Sequence, residues 1–427
     1  MNYQTYIDNE FQRDEVKPLY FILFWGGFIT YSVFQTANSI YLLTFSICAP
    51  FQILGIISLI IGAFNIAVLK IKNSYLRASF IFYFVWLLLI IFRDSPQLTN
   101  FTMIKVFLFS PYGSGGLLYF VPLAIFLPKN AVFYRKTFNA IIALGVIFLL
   151  FDIVMANQLL VAGDNPESQE MLETLSVLSV PCGFILCTYV YHSKFRNLVA
   201  LAIVGLTLLL ALIRARRGLS LYCSSILFFA YLIYFYNSKK KYIHVYALFL
   251  FFCVESLYLN NMTYHIRENR ILGFFAERGD DDTRTGIEWY FYNDMQTKDW
   301  TVGKGILGDY YCPDISESQQ TNFRDDIETG YLQIILKGGI VSLLLFLLIS
   351  IPAIIKGIFF SRNTLAKASG VWILLFISTL YPRDETKFTL NYILVWMSIG
   401  LCYNKNLRNL QEEEIIGFLE KDNKNLS

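Results

Sequence analysis

Long apolar runs, many of them close to twenty residues, recur along this sequence and are separated by short polar segments. An apolar run of about 20 residues is long enough to cross the hydrocarbon core of a bilayer as an α-helix. Only 16% of the residues are charged, whereas soluble domains carry about 25%. Backbone groups left unpaired in hydrocarbon cost several kcal/mol each, so the runs must be helical. The sequence therefore predicts an all-α integral membrane protein.

We predict about twelve transmembrane helices and one large polar loop between the ninth and the tenth. The spans lie near residues 18–46, 51–69, 76–92, 112–128, 137–156, 172–191, 197–213, 219–236, 242–259, 331–360, 367–381 and 387–403. Pro50 is expected to separate the first two spans. The chain then divides into four parts, which are helices 1–9 (1–259), the large loop (260–330), helices 10–12 (331–403) and a tail (404–427).

The distribution of Lys and Arg predicts the orientation of the helices. With the N-terminus inside, the inner loops at 70–77, 129–136, 192–196, 238–241 and 362–367 are all basic. This agrees with the rule that cytoplasmic loops are positively charged, and both termini are then cytoplasmic. The large loop is predicted outside, where residues 260–327 hold 13 acidic and 7 basic side chains. The net charge of +3 reflects this topology and predicts no nucleic-acid partner.

One short outer loop opposes the charge rule. Arg214, Arg216 and Arg217 lie within four residues between the seventh and eighth spans. The guanidinium fork is suited to bidentate binding of phosphate oxygens, so these arginines are candidates for holding an anionic group near the membrane surface. Contact with anionic lipid headgroups or with the acidic large loop is the alternative. Residues 382–387 form a weaker exception, in which neighbouring acids can pair with the bases.

The large loop contains a second arginine candidate, Arg284, followed by Glu288, Trp289 and Tyr290. On a helix, Arg284 and Glu288 would share a face and could form an ordinary ion pair. The functional alternative adds Arg284 to the anion site and uses Trp289 and Tyr290 as stacking surfaces for sugar rings. The acidic run 280–282 lacks the ligand spacing of a calcium loop, and we predict no metal site.

A carboxylate stands at the start of the tenth span, in the segment that runs from Asp325 to Tyr331. The carboxylate of Glu328 can simply cap the helix, where the helix dipole stabilises it, or it can act as a general base on the same side of the membrane as the arginines. His265, the only histidine in a predicted outer segment, is the alternative base. Tyr331 is assigned to substrate binding.

These pieces together resemble the bacterial superfamily of O-antigen polymerases and O-antigen ligases, which are polytopic glycosyltransferases. The resemblance covers residues 210–350 and consists of Arg217-Gly218, Arg284 followed by Trp289, the glycine-rich Val302–Gly308, Glu328-Thr-Gly-Tyr331, and Lys337-Gly-Gly339. Ligases usually carry a histidine before an asparagine where this chain has Glu328-Thr329. A glutamate at this place is more similar to the polymerase branch.

The resemblance implies a site at the periplasmic face of the bacterial inner membrane and a donor glycan carried on a polyprenyl diphosphate. Arg217 and Arg284 would contact the diphosphate, with Arg214 and Arg216 as further substrate-binding residues, and Glu328 would activate the acceptor hydroxyl. Such a leaving group requires neither a nucleotide nor a metal, so no cofactor is expected. The expected partners are the lipid-linked glycan, membrane lipid and a protein that regulates chain length.

Two other functions remain open from the sequence. An O-antigen ligase would use the same arginines to transfer finished polymer to lipid A-core. A flippase or transporter of lipid-linked sugars would place ionisable residues inside the spans. The spans carry few of them: Asp152 lies near an outer end, and Glu255 in the ninth span is the clearest exception, so transport is the less favoured alternative.

Overall fold

The computed structural model describes residues 17–94, 100–160, 165–238, 283–313 and 322–424. Eight helices in these ranges are long and apolar enough to cross a membrane, and three shorter apolar helices accompany them. The only sheet in the described ranges is one short antiparallel pair of strands. The protein is a multi-pass, all-α membrane protein. The ninth predicted span, residues 242–259, lies outside the described ranges.

The first helices are α1 (Pro18–Ser39), α2 (Phe45–Ile66), α3 (Ser74–Arg93), α4 (Phe101–Phe109), α5 (Gly116–Phe120), α6 (Ala131–Val154), α7 (Ala156–Leu159), α8 (Pro166–Ser179), α9 (Cys182–Cys187), α10 (Lys194–Ile213) and α11 (Arg217–Asn237). Two 3₁₀ segments, Val121–Phe126 and Tyr189–Tyr191, follow α5 and α9. The later elements are α12 (Thr283–Asp294), α13 (Thr297–Val302), β1 (Tyr310–Tyr311), β2 (Phe323–Arg324), α14 (Gly330–Phe359), α15 (Thr364–Thr379), α16 (Leu390–Tyr403), α17 (Lys405–Asn409) and α18 (Glu412–Lys424).

The boundary between the first two spans differs from the prediction. Pro50 lies inside α2, and the break comes earlier, at residues 40–44. A Schellman motif ends α1, because Tyr41 has a φ of 56° and Leu42 N–H donates to Ala37 O at 3.0 Å. Glycine is the usual residue at such a left-handed position, so the sequence contained no clear signal for this helix end.

The fourth predicted span is also different, because residues 112–128 do not form one continuous helix. The single turn and a half of α5 passes directly into the 3₁₀ segment that contains Pro122. A proline lacks the N–H that a continuing α-helix would use. Residues 111–115 remain a loop, and this loop contacts the functional region described below.

Short polar side chains start most of the helices. Six of those that start helices of 14 residues or more accept a hydrogen bond from the backbone N–H three residues further along the chain, which satisfies one of the unpaired donors of a first turn. These caps are Asn73, Asn130, Asn165, Ser193, Asn363 and Thr389. The capping residues stand just before the apolar runs, so the sequence itself determines where these helices begin.

Glycines bring α1 and α2 into close contact. A Cβ built on Gly27 would lie 2.5 Å from the backbone nitrogen of Leu59, and one on Gly62 would lie 2.5 Å from that of Phe24. Small residues allow this approach between membrane helices, where packing replaces the hydrophobic effect as the source of stability. The first two spans therefore form a hairpin with almost touching backbones.

The glycine-rich loop 303–308 is anchored on α14. Lys304 N–H donates to Leu336 O at 2.7 Å, and Gly305 N–H donates to Lys337 O at 3.0 Å. The buried ammonium of Lys337 donates in return to Gly308 O at 2.8 Å. Two sequence pieces about thirty residues apart, each part of the family resemblance, are thus one structural unit.

A kink in α14 makes room for this loop. Gly339 has a φ of 69°, and a Cβ there would lie 2.1 Å from Thr301 O. Gly303 has a φ of 74°, and a Cβ there would lie 2.5 Å from the backbone nitrogens of Gly338 and Gly339. The buried carboxylate of Asp94, at the end of α3, accepts from Leu307 N–H at 2.9 Å. The described part of the large loop is therefore fixed to the membrane helices α3 and α14.

Candidate functional site

The loop between α15 and α16, residues 380–389, contacts three other segments of the candidate site. We call it the junction loop. A Cβ built on Gly218 would lie 2.7 Å from Pro382 O, and one on Gly330 would lie 2.9 Å from Arg383 O. Phe388 N–H donates to Pro111 O at 2.8 Å, which adds the 111–115 loop. The starts of α11 and α14 therefore meet at adjacent carbonyl groups of one loop.

The arginine loop between α10 and α11 is a second Schellman motif. Ala215 has a φ of 49°, and Arg216 N–H donates to Ala211 O at 2.9 Å. This geometry sends the three arginine side chains to different surroundings. Arg217, in the first turn of α11, is exposed to solvent beside the junction loop.

The other two arginines contact the protein. Arg214 is buried and donates from Nη1 to the hydroxyl of Ser168 at 3.1 Å. Arg216 lies 3.5 Å from a carboxylate oxygen of Glu173 in α8. Arg216 thus has an acidic partner, although that partner belongs to α8 and not to the large loop. The three arginines do not form one cluster of free guanidinium groups.

The segment from Glu328 to Tyr331 adjoins the junction loop. Tyr331 N–H donates to Leu380 O at 3.2 Å, and Glu328 is exposed. Thr329 is the N-cap of α14, but its hydroxyl makes no cap bond and donates instead to Glu288 Oε1 at 2.5 Å. The glutamate expected to pair with Arg284 is therefore joined to the segment that carries Glu328.

Arg284 lies in the first turn of α12, four residues before Glu288, as the helical spacing predicted. Its side chain falls outside the described part of the structure, as do the alternative base His265 and the acidic run 280–282. Ile287 and Phe291 of this helix are buried and belong to the same hydrophobic cluster as Leu332 and Leu336 of α14. The described part of the large loop therefore packs against the N-terminal end of the tenth predicted span.

Aromatic side chains form an exposed surface beside this segment. Trp289 is 59% exposed and Tyr381 of the junction loop is 72% exposed. Tyr292, one helical turn after Trp289, forms a side-chain hydrogen bond with Tyr331. We call Trp289, Tyr292, Tyr331 and Tyr381 the aromatic surface. Tyr290 packs edge-on against Trp289, with the ring centroids 5.0 Å apart, and supports it from the side.

The junction loop contains an ion pair whose burial the sequence did not indicate. Arg383 Nε lies 2.8 Å from Glu385 Oε1. The pairing of acids and bases expected for residues 382–387 is present, but its burial was not foreseen. Arg383 Nη2 also donates to Ser176 Oγ at 3.0 Å, and Asn391 donates to Glu385 Oε2 at 2.8 Å. The pair therefore connects α8, the loop and α16.

Asp384 lies next to this pair and has a perturbed acidity. Burial raises the pKa of its carboxyl from 3.8 to about 6, although nearby Lys387 and two hydrogen bonds from Thr386 act in the opposite direction. The ammonium of Lys387 lies 5.0 Å from the ring centroid of Tyr112. The junction loop is thus a charged segment that is largely enclosed by the protein.

The site combines an exposed guanidinium, an exposed carboxylate and an aromatic surface around one rigid loop. Such groups can bind a phosphate, accept a proton and stack against sugar rings. Within the described ranges, no group of three or more His, Cys, Asp or Glu side chains is placed to hold a metal ion. No protein family, characterised protein or solved structure compared with this chain matches it.

Proposed function

We propose that this protein is a glycosyltransferase of the bacterial inner membrane that polymerises oligosaccharide repeat units linked to a polyprenyl diphosphate, for an O-antigen or a capsule-like polysaccharide. One observation carries the proposal. The junction loop contacts Gly218 on one side and Gly330 on the other, so Arg217 and Glu328 belong to the same end of the helical bundle. In the proposed topology this end faces the periplasm, and both termini are cytoplasmic.

Arg217 would bind the diphosphate of the donor. Its guanidinium is exposed at the start of α11, and permanent charge with a planar fork matches phosphate oxygens. Arg284, on the helix that covers the site, would supply a second guanidinium. The two together would stabilise the negative charge that develops on the leaving diphosphate. Arg214 and Arg216 would hold the loop that presents Arg217, because both are engaged with α8.

Glu328 would act as the general base. The acceptor hydroxyl oxygen forms the new bond to the anomeric carbon of the donor, and the bond from that carbon to the diphosphate oxygen breaks. The electron pair leaves with the diphosphate, and the hydroxyl proton passes to the carboxylate of Glu328. General-base catalysis of this kind contributes about 10²- to 10⁴-fold to the rate.

The aromatic surface would hold the sugars. Trp289, Tyr292 and Tyr381 are exposed, whereas Phe291 and Tyr310 beside them are fully buried. Rigid rings provide contact area at little entropic cost, and tyrosine hydroxyls add hydrogen bonds. A surface of this kind suits a glycan that must advance by one repeat unit after each transfer.

The test is the length of the surface polysaccharide in cells that lack the gene and are complemented with variants. We expect wild type to restore a ladder, and Glu328→Gln to leave single repeat units at normal protein level. Asp325→Asn is the matched control, because Asp325 is an exposed acid three residues away. That variant should restore the ladder fully.

Each contrary result has a defined meaning. Full-length polymer stranded on the lipid carrier in the deletion strain would identify a ligase and overturn the polymerase assignment. An unchanged ladder in the deletion strain would exclude both enzymes. A normal ladder with Glu328→Gln would remove Glu328 from the mechanism and leave His265 as the base to test.

A further inference from the structure

A basic cavity lies at the far end of α14, away from the junction loop. The helix is kinked at Gly339, and its segment after the kink, residues 340–359, is alone about 30 Å long. The cavity has a volume of about 640 Å³ and lies where α14 ends and α17 begins. Its lining includes four cationic side chains, Lys356, Arg362, Lys405 and Arg408, and two phenylalanines, Phe359 and Phe360. It therefore combines positive charge with an apolar wall.

Arg408 is the one cationic residue of the cavity that is buried and held in place by hydrogen bonds. Only 8% of its surface is exposed, and its Nη1 donates to Phe360 O at 2.5 Å. Arg362 N–H donates to Arg408 O at 2.8 Å, so the two arginines are held together through the backbone. The Nε of Arg408 is buried and has no hydrogen-bond partner among the described residues. A buried guanidinium with an unused donor favours an anionic ligand.

No carboxylate neutralises the cavity within the part of the chain that the structure describes. The nearest acidic cluster in the sequence, in the first turn of α18, has other partners. Glu412 accepts hydrogen bonds from the backbone N–H and the hydroxyl of Thr364, at 2.8 and 2.7 Å. Glu414 accepts from Gln411 N–H at 2.7 Å. None of the four cations forms an ion pair with a carboxylate of the described residues, although the ammonium of Lys356 lies 4.5 Å from the ring centroid of Tyr403.

The apolar wall indicates what kind of anion fits. Phe359 is 74% exposed and Phe360 is 64% exposed, at the end of a helix long and apolar enough to cross a membrane. A soluble phosphate would use the cations and leave these rings uncovered. A phospholipid would place its phosphate on the cations and its acyl chains against the rings, as basic pockets between membrane helices do on the cytoplasmic side.

We propose that this cavity binds the phosphate headgroup of an anionic phospholipid. The ligand chemistry is a phosphate with attached hydrocarbon, and its four contacts are Lys356, Arg362, Lys405 and Arg408. The inference does not depend on the enzymatic function proposed above, because the cavity and the junction loop are at opposite ends of α14.

The test measures lipid binding to delipidated protein in detergent by native mass spectrometry. The probes are phosphatidylglycerol, phosphatidylcholine and inorganic phosphate. The pocket variant is Arg362→Gln/Lys405→Gln, because both side chains are exposed and neither is buried in the fold. The control is Lys70→Gln/Lys194→Gln, which removes two exposed charges from loops predicted on the same face. Thermal unfolding of both variants should match wild type.

We expect phosphatidylglycerol to bind more tightly than phosphatidylcholine, and its affinity to fall about 10- to 30-fold in the pocket variant. The control variant should retain wild-type affinity, and millimolar phosphate should not displace the lipid. An equal loss in both variants would show a diffuse charge effect and overturn the proposal. Displacement by inorganic phosphate, without a preference among lipids, would show a site for a soluble anion and would also overturn it.

Discussion

Arg383 Nε lies 2.8 Å from Glu385 Oε1, and each residue is only 6% exposed. The pair stands within the junction loop, which touches Gly218 and Gly330 through the carbonyls of Pro382 and Arg383. These contacts set the relation between the arginine loop and the Glu328 segment. In this arrangement the buried charges of Arg383 and Glu385 support the loop, and the charges of Arg217 and Glu328 are exposed.

Loss of one partner of the buried pair should be severe. Arg383→Met leaves Glu385 charged and buried, and we expect a loss of about 3–5 kcal/mol of unfolding free energy. The double variant Arg383→Met/Glu385→Gln should recover part of this loss, as measured by thermal unfolding in detergent. Arg324→Met is the control, because its partner Asp326 is exposed and the pair should contribute less than about 1 kcal/mol. Equal losses in the two single variants would contradict this account.

The acidity of Asp384 predicts a pH dependence of stability. Its pKa is raised by burial from 3.8 to about 6, so the folded state holds a proton that the unfolded state releases. The wild type should therefore lose stability as the pH rises from about 4 to 6, by at most about 3 kcal/mol. Asp384→Asn removes this loss and can still accept both hydrogen bonds from Thr386. The difference in Tm between the variant and wild type should grow across that range and stay constant above it.

The glycine contact between the large loop and α14 should tolerate no side chain. Gly303→Ala and Gly339→Ala each add a Cβ at positive φ and within 2.5 Å of backbone atoms. We expect each to cost more than the 1–3 kcal/mol of backbone strain alone. Gly286→Ala is the control in α12, where a Cβ meets nothing within 4 Å and should stabilise by about 0.5–1 kcal/mol. A normal Tm for Gly339→Ala would mean that the kink is not required.

The proposed diphosphate site predicts that Arg217→Ala and Arg284→Ala each abolish chain extension. Membrane expression should stay normal, because the side chain of Arg217 is exposed and not buried in the fold. Arg217→Lys should recover only part of the activity, because an ammonium cannot bind two oxygens in the same plane. Arg77→Ala, an exposed arginine of α3 in a predicted inner region, is the control. Polymer of wild-type length in both alanine variants would remove these arginines from the site.

Trp289 should matter for the glycan and not for the fold. Because 59% of the residue is exposed, Trp289→Ala should change the free energy of unfolding by less than about 1 kcal/mol and should shorten the polymer. Phe291→Ala, two residues along the same helix and fully buried, should cost about 3–5 kcal/mol. The measurement is a ladder together with thermal unfolding of each variant. An unchanged ladder with Trp289→Ala would exclude this ring from sugar binding.

Much of the architecture could be predicted from the sequence because its signals are local. Apolar runs of sufficient length predicted the membrane helices, and Asn or Thr before a run marked the start of α3, α6 and α16. The helix ends were harder to predict. Tyr41 and Ala215 occupy left-handed positions that usually hold glycine, so the ends of α1 and α10 carried no local signal.

The candidate site divides in the same way. Arg217 could be singled out from charge and position alone, because a basic residue in a predicted outer loop opposes the rule for topology. Glu328 could be singled out because it is an acid directly before a predicted span. The contact of Lys304 with Leu336, and the burial of Arg383 with Glu385, could not. These relations depend on which loops meet at the end of the bundle.

The sequence alone determined that this chain is an all-α membrane protein and that its charges are distributed unevenly between loops, and it indicated which residues are candidates for the site. The tertiary structure decided which of those side chains are buried, which are paired and which are exposed. It buries Arg214, pairs Arg216 with Glu173 and leaves Arg217 exposed, although all three lie within four residues. The reason is physical. Charge and hydrophobicity are properties of each residue, whereas burial depends on the packing of helices that are distant along the chain.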